Sequence, residues 1–239
     1  MVHRDIALVT GANKGIGLEI ARQLAEAGVH VLLGARDALR GQTAAEKLAE
    51  AGLNVSFVQL DVCDPQSVAA AAAQIRAKQG KLDILVNNAG IFDTADASPG
   101  KASLEAVRRV LETNFIGALS VTQEMLPLLR LAGKARIVNL SSSLGSLALN
   151  ADPNSPYYAA RFIGYNASKA ALNMLTVQLH EELRGTGIVV NSVSPGFVKT
   201  DLTGYGSMTP EEGARLPVRY ALGHGASGSF VEPDGTTPW

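Results

Sequence analysis

Ile6-Ala7-Leu8-Val9-Thr10-Gly11-Ala12-Asn13-Lys14-Gly15-Ile16-Gly17 sets the architecture of this 239-residue chain. Residues 6–10 read as a strand, a glycine-rich turn follows, and residues 16–27 read as a helix. The same unit then recurs. Residues 29–35, 55–60, 82–86, 136–140 and 188–193 read as further strands, and 228–231 as a short last one. Helices are expected over 38–51, 65–79 (opened by Pro65), 104–131 and 164–184. Continuously apolar strands alternating with helices predict a parallel sheet covered on both faces. The expected fold class is α/β: one doubly wound domain spanning 1–239.

Composition narrows the function. Hydrophobic residues make up 46% and charged residues 18%, as in a globular chain. Lys plus Arg number 21 against 22 Asp plus Glu, for a net charge of −1, which argues against nucleic acid as a partner. No apolar run reaches the roughly 20 residues of a membrane span. Met1-Val2-His3-Arg4-Asp5 leads into the first strand without a signal-peptide pattern. The lone Cys63 suits a reducing compartment, so a cytoplasmic location is expected. With His3, His30, His180 and His224 scattered, no metal site is expected.

The glycine spacing G-x-x-x-G-x-G over Gly11, Gly15 and Gly17 points to a dinucleotide. Gly11 permits a tight turn, Gly15 lets backbone approach a pyrophosphate, and Gly17 allows the helix to lie close on the strand. The helix N-terminus then offers unpaired N–H groups to the phosphates. After the second strand stands Arg36, where an NAD site usually has an acid. Arg36, with Lys14, suits a 2′-phosphate, so NADPH is preferred over NAD. Asp37 is the competing reading, either as a hydroxyl-binding acid or as a helix cap.

Tyr165-Asn166-Ala167-Ser168-Lys169 lies in the 164–184 helix, where residues four apart share a face. A Lys charge about 5 Å from the phenol, at an effective dielectric of about 20, favours phenolate by roughly 2 pKa units. Tyr165 is therefore a candidate acid/base, expected to have a lowered pKa.

Together these features resemble the short-chain dehydrogenase/reductase family from about Ile6 to Thr200. The likeness rests on the glycine turn, Asp61-Val62, Asn87-Asn88-Ala89-Gly90, Asn114, Asn139-Leu140-Ser141-Ser142, the Tyr165/Lys169 pair and Pro195-Gly196. Asn13-Lys14-Gly15-Ile16-Gly17 and Ala35-Arg36-Asp37 are worded as in its NADPH-dependent carbonyl reductases. The resemblance implies hydride transfer between a nicotinamide and a carbonyl/alcohol pair. Tyr165 would give the proton and Lys169 would hold the nicotinamide ribose. Ser142, rather than Ser141 or Ser143, would bond the substrate oxygen, and Asn114 would position a water. It further implies cofactor contacts at Gly11, Asn13, Lys14, Gly15, Ile16, Gly17, Arg36, Asp61, Val62, Asn87, Ala89, Gly90, Pro195, Gly196, Val198 and Thr200.

Ser142 and Tyr165 are separated by more chain than in most relatives of this size. The extra residues, about 147–164, form an insertion containing the turn-rich Asp152-Pro153-Asn154-Ser155-Pro156. A substrate-side segment is expected at about 197–222. Phe92, Leu144, Tyr158, Phe162, Phe197 and Tyr205 are candidates to line an apolar pocket, implying an uncharged, partly apolar ketone or aldehyde. The alternatives are a 3-oxoacyl-thioester reductase, an alcohol or sugar dehydrogenase, or an NADP-binding redox sensor. Tyr157 with Arg161 is a decoy of the Tyr165/Lys169 pattern, because Arg lacks a compact ammonium. If the insertion covers the surface on which relatives pair, a monomer is favoured over a homodimer or homotetramer.

Overall fold

The computed structural model describes residues 4–239, so Met1, Val2 and His3 lie outside the described residues. Among the described residues eight strands form one sheet in the order β3-β2-β1-β4-β5-β6-β7-β8. They are β1 (Ile6–Val9), β2 (His30–Ala35), β3 (Val55–Gln59), β4 (Ile84–Asn87), β5 (Ala135–Leu140), β6 (Ile188–Val193), β7 (Phe230–Glu232) and β8 (Gly235–Thr236). All pairings are parallel except the β7–β8 hairpin. The chain winds away on opposite sides of β1 and β4. A crevice therefore opens at the C-terminal ends of these two strands.

Side chains alternate across the sheet. Leu8 and Leu85 face one core; Ala7, Val9, Ile84 and Val86 face the other. The first core is covered by α3 (Pro65–Gln79), α5 (Gly117–Leu131) and α7 (Ile163–Glu182). The second is covered by α1 (Gly15–Glu26), α2 (Ala38–Glu50) and α8 (Pro210–Ala221). The expected doubly wound α/β domain is the observed one, and the strand boundaries agree to within about two residues.

Three elements differ from expectation. The helical region over 104–131 is two helices, α4 (Leu104–Leu111) and α5, joined through a π turn at Glu112–Ile116. Such turns insert an extra residue and often mark functional positions; here the turn holds Asn114, which is buried. The insertion contains a short helix, α6 (Leu147–Ala151), capped by Ser146 Oγ accepting from Leu149 N at 3.1 Å. Within 197–222 lies α8, for which the sequence reading assigned no helix. Its signal was present as a capping box: Thr209 Oγ1 accepts from Glu212 N (3.2 Å) while the Glu212 carboxylate accepts from Thr209 N (2.8 Å). Gly213 and Pro217 inside the helix hide its apolar period.

Candidate active site

The crevice is a cleft of about 990 Å³, at the upper end of typical small-molecule sites. Gly11, Asn13, Lys14, Gly15, Ile16, Gly17, Arg36, Asp61, Val62, Ala89, Gly90, Tyr165, Lys169, Pro195 and Thr200 all line it. Gly11 (φ 62°) and Gly15 (φ 58°) hold left-handed backbone. A Cβ on Gly11 would come within 2.9 Å of Ala89 Cα, so the turn lies directly on the chain leaving β4. The sequence reading gave no role to the two residues that lock this contact. Asn88 Nδ2 donates to the carbonyls of Thr10 (2.7 Å) and Gly11 (3.1 Å). Thr10 Oγ1 accepts from Asn88 N (3.0 Å) and Ala89 N (2.9 Å).

Helix α1 starts in this turn, and its N-cap residue, Lys14, makes no side-chain cap bond. Free N–H groups and the positive end of the helix dipole thus meet at the cleft, as an anion requires. Arg36 is exposed on the cleft wall. Asp37 instead caps α2, accepting from Arg40 N at 3.0 Å, so the cap reading of Asp37 is the observed one. Lys14 Nζ reaches across the mouth to Asp201 Oδ2 at 2.8 Å, with both side chains largely exposed. Such an exposed pair is weak and yields readily to a bound phosphate.

Three expected cofactor contacts do not line the cleft, which corrects the sequence reading. Asn87 is buried and donates to Thr122 Oγ1 (3.0 Å) and Asn139 Oδ1 (2.8 Å), joining β4 to α5 and β5. Val198 is buried beneath α8, against Gly213. Gly196 sits under Met208, whose sulfur would lie 2.7 Å from an added Cβ. These residues shape the walls from behind.

The catalytic candidates converge at the floor. Two of the three competing serines are engaged elsewhere. Ser141 Oγ donates to Asn173 Oδ1 at 2.6 Å, and Ser143 bonds Ser194 and Glu232. Ser142 is left beside the Tyr165 hydroxyl, and its Oγ accepts from Leu144 N at 3.2 Å; like Asn114, it is not among the residues that line the cleft. Lys169 Nζ is buried, donates to Leu140 O at 2.7 Å and stands 5.7 Å from the Tyr165 ring centroid. Asn114 Nδ2 donates to Ile91 O and Ser168 Oγ, both at 3.0 Å, and its Oδ1 accepts from Ile91 N at 2.8 Å. Every polar atom of that side chain is bonded to protein, so it pins the cleft wall at Ile91.

The expected lowering of the Tyr165 pKa is overturned. Crowding by protein atoms dehydrates the phenol and pushes it up to about 12, with the neighbouring Ser142 hydroxyl opposing in part. The ring still keeps a half-exposed edge on the cleft. Burial likewise lowers Lys169 to about 8. The ammonium is turned onto the Leu140 carbonyl, so dehydration outweighs the attraction that the helical spacing promised. The phenol is held protonated, as a proton donor must be.

Among the aromatic candidates only Phe92 lines the main cleft. It meets Phe162 edge-on at 5.0 Å and Tyr165 at 5.8 Å between centroids. Leu144 and Phe162 line a separate groove of about 260 Å³ between the insertion and α7. Phe197 and Tyr205 meet edge-on, 5.4 Å between centroids and both exposed. The decoy pair separates: Tyr157 OH donates to Glu232 Oε2 at 3.0 Å, while the Arg161 guanidinium lies 4.3 Å over Tyr158. Among the described residues no group of His, Cys, Asp and Glu could hold a metal.

The family model for short chain dehydrogenase matches residues 5–209. Carbonyl reductase [NADPH] 1 of Mus musculus is 36% identical over 282 aligned positions, covering 99% of both chains. That alignment is longer than the present chain, so the mouse protein carries segments absent here. The structure of an NADPH-bound carbonyl reductase from chicken fatty liver superposes with a TM-score of 0.86 at 32% identity, covering 100% of both. Salutaridine reductase from Papaver somniferum gives a TM-score of 0.82 at 34% identity, covering 95% of this chain and 99% of its own. The chain belongs to the short-chain dehydrogenase/reductase family and is an oxidoreductase.

Proposed function

We propose that this member of the family is an NADPH-dependent carbonyl reductase that converts an uncharged, partly apolar ketone or aldehyde to its alcohol. One observation carries the reading. Tyr165, with the Ser142 hydroxyl beside it, and Lys169 stand in a cleft whose far end presents Arg36, Lys14 and an uncapped helix N-terminus. The anion-binding turn seats the pyrophosphate, and Arg36 forks onto the 2′-phosphate with Lys14 beside it. Asp61 and Val62 flank the adenine, while Pro195 and Thr200 close over the nicotinamide end. When bound, NADPH supplies the hydride to the carbonyl carbon. Ser142 donates a hydrogen bond to the carbonyl oxygen, and Tyr165 transfers its proton there as the C–O π bond becomes a single bond. Lys169 holds the ribose hydroxyls, with Asn114 fixing the wall beside it. Phe92 gives the substrate an apolar neighbour, and the single exposed thiol, Cys63, suits a cytoplasmic location.

The test is NADPH oxidation measured over a panel of ketones, aldehydes and 3-oxoacyl thioesters, with alcohols and sugars in reverse. Turnover concentrated on thioesters or sugars would reassign the substrate class within the family. Tight NADPH binding without turnover on any of them would favour a redox sensor. Tyr165→Phe is expected to keep NADPH affinity while losing about 10²-fold or more in kcat. Turnover within about threefold of the parent would end the proton-donor role.

A further inference from the structure

We infer that Asp96 positions Tyr165: its carboxylate, from the loop after β4, supplies the N-terminal cap that α7 lacks and so fixes where the phenol stands relative to Ser142. The inference rests on Tyr165 being the proton donor. Helix α7 begins after Phe162, which makes no side-chain cap bond, so its first N–H groups need partners from elsewhere. Asp96 Oδ1 accepts from Gly164 N at 2.9 Å, and Asp96 Oδ2 accepts from Tyr165 N at 2.8 Å. The next residue completes the set, with Ala97 O accepting from Ile163 N at 3.0 Å. Three successive amides of the catalytic helix are thus met by one dipeptide far away in sequence.

Asp96 is only 4% exposed, and among the described residues it has no ion-pair partner. Its charge is balanced by the two amides and by the positive end of α7, where charge-assisted bonds are strong. Gly164 makes room for it, since a Cβ there would lie 3.1 Å from both Asp96 Oδ2 and Val107 Cα. The loop is itself anchored. Ile91 is pinned by Asn114, and Asp93 pairs with Arg109 of α4 at 2.7 Å. Asp96 N donates to Asp93 O at 2.9 Å, and Ser103 N donates to Ala95 O at 3.1 Å. Phe92 of the same loop meets the Tyr165 ring edge-on, so one loop grips the residue by both backbone and side chain. That loop also lines the cleft through Ile91, Phe92 and Thr94.

Asp96→Ala and Asp96→Asn test this, with Asp64→Ala as control. Asp64 caps α3 by accepting from Gln66 N at 2.9 Å and lines no part of the cleft. Both Asp96 variants are expected to bind NADPH, and to show KM for the carbonyl, within about threefold of the parent. The Ala variant should lose roughly 30-fold or more in kcat. The Asn variant, which keeps one acceptor, should lose less. Asp64→Ala should lower Tm comparably while leaving kcat within about twofold. Amide hydrogen exchange at 163–165 should quicken about tenfold or more in Asp96→Asn while α5 stays protected. Unchanged exchange at Gly164 and Tyr165, or lost protection with kcat within threefold of the parent, would overturn the inference. If Asp96→Ala fails to fold, Asp96→Asn carries both measurements. If the parent turns over no carbonyl at all, the reductase reading fails by itself, and exchange at Gly164 and Tyr165 still decides whether Asp96 holds the start of α7.

Discussion

Two dehydrated groups with opposite titration behaviour dominate the chemistry of the site. Lys169 is held near a pKa of about 8 in the fold, against about 10.4 in an unfolded chain. Between those values the unfolded chain binds the extra proton, so stability rises as pH climbs from about 8 to about 10. Tyr165 is at about 12 in the fold and about 10 unfolded. There the native state keeps its proton longer, and stability falls as pH rises from about 10 to about 12. Lys169→Met should therefore abolish the rise below pH 10 and leave the fall above it. Tm measured across that window for parent and variant checks the point, and parallel rises would clear Lys169 of the effect. Arg36→Asp should reverse the ratio of kcat/KM for NADPH over NADH, because a carboxylate repels a 2′-phosphate and accepts from a 2′-hydroxyl. An unmoved ratio would remove Arg36 from cofactor choice. Positions such as Tyr165, Lys169 and Arg36 are legible in sequence because short spacing rules place them. Asp96, and Glu232 behind Ser143 and Tyr157, are not. Their roles arise from contacts across 69 and 89 residues of chain that no local pattern announces. The phenol's raised pKa was hidden for a related reason: spacing locates a charge but not the crowding around it.

The elements themselves were mostly legible, because a buried parallel strand needs a continuous apolar run and the covering helices need one apolar face. What the sequence hid was irregularity. The π turn at Glu112–Ile116 carries no distinctive residue, and its helix reads through it. Helix α8 was masked by its own Gly213 and Pro217. The short 3-10 turn Ser143–Gly145 is of the same kind, and it sets how the Ser142 loop meets α7. A Cβ on Gly145 would lie 2.7 Å from the carbonyl carbon and Cβ of Lys169 and 3.0 Å from Ala170 N. Backbone cannot yield as a flexible side chain does, so the turn and α7 must part. Gly145→Ala is expected to cost about 1–3 kcal/mol of stability. Because Ser142 and Lys169 sit on the two parting elements, kcat should fall about tenfold or more even where the variant is fully folded. Thermal melts with kinetics well below Tm separate the two effects; a destabilised variant with parental kcat would show that the turn bears on folding alone.

The whole molecule poses the question of assembly, which turns on the exposed side of α7. The insertion was expected to cover the pairing surface of the Tyr165 helix, whose outward side here carries Ile163 and Met174. Coverage is real but partial. Asn166 Nδ2 donates to Asn150 Oδ1 (2.9 Å) and Ala160 O (2.8 Å), fastening the insertion to the first turns of α7. Leu147 and Phe162 lean over Ala167 and Ala170 across the groove between them. The three aromatics of the insertion do not all bury against the helix. Phe162 packs on Phe92, but Tyr157 is taken by Glu232 and Tyr158 stays 39% exposed beneath Arg161. Met174 remains 55% exposed, as does Leu104 of α4 at 65%. An isologous contact needs one self-complementary patch free on both partners, and a stable one buries about 800 Å² on each. The insertion occupies the first turns of α7, and the apolar side chains left outside it are scattered. The expected outcome is therefore a monomer in sedimentation equilibrium at micromolar concentration. Truncating the insertion's contact through Asn150→Ala and Leu147→Ala should not by itself produce a dimer, because the backbone of 147–162 still stands over α7. A stable dimer of the parent chain would mean that the Met174 end of α7 pairs without the covered turns.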